Sequence, residues 1–147
     1  KQSGGISTNV NYVEMDKKIF DEIRNILKSD GVMAFLKDHD FGYKFKYSDL
    51  NPLDEFCYLC QRPEFEFIDI DLEGLRVELY ELIKEFNHAI AYNTFPINTN
   101  EGSVLLEWKY EQSEYFIKII DTIHDLTEKI WHTYCQLIKL GRRKLGI

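Results

Sequence analysis

Cys57-Tyr-Leu-Cys60 has the two-residue spacing of redox dithiols and zinc knuckles. A redox pair works at the start of a helix that follows a strand, where the amide dipole favours the thiolate. Here Asn51-Pro52 already begins a helix about two turns upstream, so the dipole is in the wrong place. Zinc needs four ligands, and only Cys135 and scattered histidines remain to complete the set. These thiols read as small buried hydrophobes. Glu85-Phe-Asn-His88 is a Glu-x-x-His sequence of the kind that helical di-iron proteins turn inward, and Asp121-Thr-Ile-His124 is an imperfect second copy. With Leu72, Leu75, Leu79, Leu82, Phe86 and Ala89 as the buried line, Glu85 falls on a flank and His88 outside. On the last helix Asp121 and His124 also fall outside, so all four are expected in water. No metal and no cofactor is expected, and no catalytic residue can be named.

Asp40-Phe-Gly42 matches a kinase magnesium triplet, but no Gly-rich loop, strand lysine or catalytic-loop sequence accompanies it, so a turn is expected. Phe41, Tyr43, Phe45 and Tyr47 alternate with Gly42, Lys44 and Lys46, which suits an extended segment with one aromatic face. The segment has no evident strand partner and is expected to stand alone rather than form a sheet. Lys139, Arg142, Arg143 and Lys144 make a basic end with no acid between them, as suits a helix C-terminus.

The elements that must position these residues are helical. Residues 1–12 are rich in Gly, Ser, Thr and Asn and read as a linker, with a single helical domain over 13–147. Val13, Ile19, Phe20, Ile23, Ile26 and Leu27 mark a helix from about Glu14 to Lys28. Ser29 is placed to cap a second helix through Val32, Phe35 and Leu36. Pro52, with Asp54 and Glu55 in the first turn, opens a third that runs to about Gln61. A fourth ends near Tyr92. A connection from Asn93 to Tyr110 is expected to pack Phe95, Leu105, Leu106 or Trp108 back on the core. The last helix, about Tyr115 to Leu140, carries Phe116, Ile119, Ile123, Leu126, Ile130, Leu137 and Leu140 at three-and-four spacing. The expected fold is all-α: a helical bundle built on a long antiparallel helical hairpin, with three shorter helices packed on it.

A chain of 147 residues with 44% apolar and 14% aromatic content can bury roughly two-thirds of its unfolded surface in one core. A net charge of −7 opposes general nucleic-acid binding, because phosphate affinity comes from Lys and Arg. Three cysteines make no disulfide framework, and a reducing cytosol is expected. No apolar run is long enough for a transmembrane segment. The absence of a starting Met reads as an excised portion of a longer protein or a trimmed chain, and the expected location is cytoplasmic, either free or as the soluble part of a membrane-tethered protein.

In order along the chain, Asp40-Phe-Gly42, Asp49-Leu-Asn-Pro-Leu53, Asn93-Thr-Phe-Pro96 and Leu140-Gly-Arg-Arg-Lys144 resemble an uncharacterised helical C-terminal domain of bacterial proteins, found behind coiled-coil or membrane segments. The resemblance implies a bacterial source and an accessory role, and brings no catalytic residue with it. The function expected is a non-enzymatic interaction or regulatory, sensor-like, domain of a larger bacterial protein. The alternative is a small helical enzyme with an unrecognised active site. Because the last helix outruns its partner, Trp131, Tyr134, Leu137, Ile138, Leu140, Arg142, Arg143 and Lys144 form the expected interaction surface, and a homodimer or another protein is the expected partner.

Overall fold

The computed structural model describes the backbone of residues 2–147 and the side chains from Tyr12 onward. Its described elements are α1 (Gln2–Ile26), α2 (Val32–Asp38), β1 (Phe45–Lys46), a 3₁₀ turn (Tyr47–Leu50), α3 (Asn51–Leu59), α4 (Ile70–Asn93), β2 (Thr94–Pro96), β3 (Glu101–Val104), α5 (Leu106–Glu111) and α6 (Ser113–Leu145). The protein is mostly helical, with one small sheet.

The most extensive packing is between α4 and α6. They run in opposite directions: Thr133 Oγ1 donates to Glu78 Oε2 at 3.0 Å, while Lys144 Nζ reaches Asp69 and Asp71, each at 3.0 Å. The buried line of α4 is Leu72, Arg76, Leu79, Ile83, Phe86 and Ile90. This corrects the expected line, since Leu75, Leu82 and Ala89 are only partly buried on its flank. Arg76 joins the core because Glu73 neutralises it through a two-pronged bond, Nε to Oε1 at 2.7 Å and Nη2 to Oε2 at 2.5 Å. Along α6 the buried line is Phe116, Ile119, Ile123, Leu126, Ile130, Leu137 and Leu145, joined by Tyr134 and Gly141.

Helix α1 begins at Gln2, so the backbone of residues 2–12, expected as a linker, is helical, and Lys1 lies outside the described residues. Gly4, Gly5, Ser7 and Thr8 disfavour helix in isolation, but extending a helix already nucleated by the buried turns from Asp16 costs far less than starting one. With 25 residues, α1 is also not one of the short helices expected. Its Asp16 is fully buried, and its two carboxylate oxygens accept the amides of Ile68 at 2.7 Å and Asp69 at 3.0 Å, tying α1 to the start of α4. Asp69 in turn caps α4 by accepting from the Leu72 amide at 3.0 Å. Helix α2 is preceded by Gly31 and has no side-chain cap, so Ser29 does not fill the role expected of it.

The solitary extended segment is a further correction. Strand β1 pairs antiparallel with β3 (Phe45↔Gly102, Lys46↔Glu101), and β3 pairs with β2 (Thr94↔Val104, Phe95↔Ser103, Pro96↔Gly102), giving the order β1-β3-β2. Asn98 makes the β2–β3 turn by accepting the amides of Asn100 and Glu101. Tyr43 also leaves the expected aromatic face and is 68% exposed, because Asp40 to Tyr43 is a turn closed by the Tyr43 amide on the Asp40 carbonyl. Phe41 instead sits at the centre of an aromatic cluster, edge-on to Phe35, Phe45 and Phe86.

Candidate functional site

The dithiol lies at the end of α3 with both sulfurs free and half-buried. Burial pushes the thiols of Cys57 and Cys60 up to about 11; each thiolate would also face acidic neighbours, Cys60 and Asp54 for Cys57 and Glu73 for Cys60, while Arg76 partly offsets this at Cys60. Protonated thiols are poor nucleophiles and poor metal ligands at neutral pH. The Cys57 Sγ instead takes a weak contact from Asn87 Nδ2 at 3.8 Å, which links α3 to α4.

Glu85, His88 and Asp121 are exposed. His124 does not share the fully outward position expected of it. The α2–β1 turn folds over α6 at this point, so His124 Nε2 accepts the Phe41 amide at 2.9 Å and has Asp40 Oδ1 at 3.6 Å. The lone pair of His124 is thereby engaged by backbone. Among the described residues no three His, Cys, Asp or Glu side chains stand together in a way that could hold a metal ion.

The surface expected on the last helix is divided by the fold. Leu137 is 0% exposed and Tyr134 4%, since α1 lies across this end of α6. Tyr134 donates to the Leu27 carbonyl at 2.5 Å, and the Phe20 ring packs directly on Gly141. The lack of an intrachain cover was the ground for a second copy here, and α1 supplies that cover. Trp131, Ile138 and Leu140 remain partly open, and Arg142 and Arg143 are exposed. Lys144 is held by Asp69 and Asp71, whose hydrogen bonds push its ammonium up to about 12.

An open apolar surface lies at the opposite end of α6, where the sheet and α5 gather. None of the residues of α5 is buried. Leu106 is 55% and Tyr110 82% exposed, four residues apart on one side of the helix. Phe95 stands edge-on to Trp108 at 5.7 Å, and Trp108 to Tyr115 at 4.9 Å, so one aromatic row joins β2, α5 and α6. Ile97 at the tip of β2 and Ile117 on α6 add further apolar area, and Tyr43, Lys109 and Ile117 share the lining of a cleft of about 250 Å³. The exposed charges around it are mixed in sign: Lys109 and Lys118 against Glu107, Glu111, Glu114 and Asp121. Of Phe95, Leu105, Leu106 and Trp108, expected to turn back on the core, Trp108 does so in part, beside the buried Val104, while Phe95 and Leu106 stay exposed. The available signal was the pair Leu106 and Tyr110 at helical spacing just before an apolar stripe that was already complete without them.

No helix of the described residues is long and apolar enough to cross a membrane. Comparison with protein-family models, curated proteins and solved structures finds no match to this chain.

Proposed function

We propose that the chain is a non-enzymatic interaction or regulatory domain of a larger protein, and that it pairs with a second copy of itself through the end formed by the sheet, α5 and the start of α6. The observation that carries this reading is α5, a helix that buries none of its residues and holds Leu106 and Tyr110 out to solvent. A contiguous exposed apolar surface rimmed by charge is the usual mark of an interaction site. A two-fold pairing must be self-complementary, and a rim that sets Lys109 and Lys118 among Glu107, Glu111, Glu114 and Asp121 offers opposite charges to a second copy, where a rim of one sign would repel itself. In this reading α4 and α6 form a long antiparallel hairpin, braced by the other helices, whose task is to hold this end rigid. The resemblance to accessory domains of bacterial proteins agrees with such a role.

Light scattering on the intact chain tests it. The mass should rise with concentration from 17.5 kDa toward twice that value. Leu106→Glu and Tyr110→Glu should each raise the dissociation constant at least about tenfold, as expected for a charge placed in a buried interface centre, with the melting temperature unchanged at dilutions where the chain is monomeric. A mass that stays at the monomer value up to high micromolar concentration, or a dimer indifferent to both substitutions, overturns the proposal.

A further inference from the structure

A groove of about 540 Å³ runs between the turn after α2 and the middle of α6, lined by Lys37 to Asp40 on one side and by His124, Thr127, Glu128, Trp131 and His132 on the other. We infer that this groove is a binding site for alkylammonium cations, in which the ligand's ammonium takes the place over Trp131 now held by Lys37.

Three features of the groove point to a cation. Its formal charges are the carboxylates of Asp38, Asp40 and Glu128 against the single ammonium of Lys37. Its wall is an aromatic face: Trp131 is backed by Tyr134 at 6.1 Å, and Tyr134 is anchored on the Leu27 carbonyl, so the ring is held in position from behind. Lys37 already displays the expected geometry from within the chain. Its Nζ lies 5.5 Å from the Trp131 ring centroid and 3.5 Å from Asp38 Oδ1, an ammonium held between a π face and a carboxylate. Lys37 reaches this place from an exposed position, with half of its side chain open to water, so an incoming ammonium can displace it.

The turn side of the groove is fixed by aromatic packing. The His39 ring is stacked on Phe35 at 4.7 Å and set edge-on to Phe41 at 4.8 Å, and its Nε2 is buried with no hydrogen-bond partner among the described residues. His124 offers no free lone pair to the groove, because its Nε2 is taken by the Phe41 amide. The groove carries carboxylates at both sides, Asp38 and Asp40 on the turn and Glu128 on α6, which favours a ligand with more than one ammonium. Free polyamines and paired lysines of a protein share that chemistry.

Titration calorimetry on the intact chain at low ionic strength tests the site, with spermidine as one probe and an N-acetylated, amidated Lys-Lys dipeptide as the other. Fluorescence of Trp131 in a Trp108→Phe background reports on the groove itself. Spermidine should bind at submillimolar concentration and change that fluorescence. Trp131→Leu and Asp38→Asn should each weaken binding about threefold, while Lys37→Ala, by removing the resident ammonium, should strengthen it about threefold. Tighter binding of the dipeptide assigns the cation to a partner's lysines, and tighter binding of spermidine assigns it to a free polyamine. No binding at millimolar spermidine, equal displacement by magnesium chloride at matched ionic strength, or weaker binding by Lys37→Ala with an unchanged melting curve would each overturn the inference.

Discussion

Alanine substitutions at two helical glycines should move stability in opposite directions. In a helix interior, Gly→Ala is favourable by about 1 kcal/mol, because alanine has less backbone freedom to lose on folding. Gly74 on α4 has no atom within 4 Å of where a Cβ would stand, so the whole gain should be realised there. At Gly141 on α6 the same Cβ would overlap the Phe20 ring of α1. Phe20 is 0% exposed and cannot swing into solvent. Overpacking of this kind costs about 1–3 kcal/mol, and a rigid ring pinned in the core puts the cost in the upper half of that range. The net effect of Gly141→Ala is a loss of about 1–2 kcal/mol. For a chain of this size, about 3 °C of melting temperature accompanies each kcal/mol. Thermal unfolding followed by circular dichroism should therefore show Gly74→Ala about 3 °C higher and Gly141→Ala about 3–6 °C lower than the parent. Phe20→Leu should also reduce the penalty at Gly141 by more than the additivity error of about 0.5 kcal/mol. If both alanine variants stabilise, or if the pair is additive, the close approach of α1 to α6 described above is wrong.

Asp16→Ala removes both acceptors for the Ile68 and Asp69 amides; at about 1.5 kcal/mol for each hydrogen bond to a charged group, the loss is about 3 kcal/mol, visible as a shift of the urea midpoint with the slope unchanged. Cys57 and Cys60 should resist alkylation by iodoacetamide at pH 7.5 in the native chain and react once it is unfolded; rapid native labelling of either, located by mass spectrometry, would contradict their raised thiols. Because these folded thiols titrate at about 11 against an ordinary 9.0, the folded state holds their protons longer. Their contribution is complete below pH 9 and is lost as pH rises toward 11, so the denaturation midpoint should fall across that window, and less so in the Cys57→Ala, Cys60→Ala double variant.

The parts of the fold that depend on neighbours in sequence are legible in it. Asn51-Pro52 followed by Asp54 marks the start of α3 where it lies, and the three-and-four spacing from Phe116 to Leu137 gives the buried line of α6. What is lost depends on partners far along the chain. A line drawn through apolar residues alone runs over Leu75 and Leu82 and leaves Arg76 outside, because nothing in the periodicity records that Glu73 neutralises the guanidinium. Strand β1 is two residues long, and its partner β3 is a polar segment, Glu101 to Val104, with no alternation of its own. The histidine-lined groove is legible only in part: His124, Glu128 and His132 share one side of α6 at four-residue steps, but His39 reaches them because α2, whose end it caps, packs on α6.

The clasp between α1 and α6 also has a temporal meaning. Leu27 and its partner Tyr134 are 107 residues apart. During synthesis at about 5–20 residues per second, roughly 5–20 s separate the appearance of the two. Through that interval Phe20, Ile23 and Leu27, all without solvent exposure in the finished protein, have no α6 to lie against. A nascent chain of this protein therefore carries part of this apolar face without its α6 cover for far longer than a helix takes to form, which makes that face a point where a ribosome-associated chaperone has both the time and the surface to hold it.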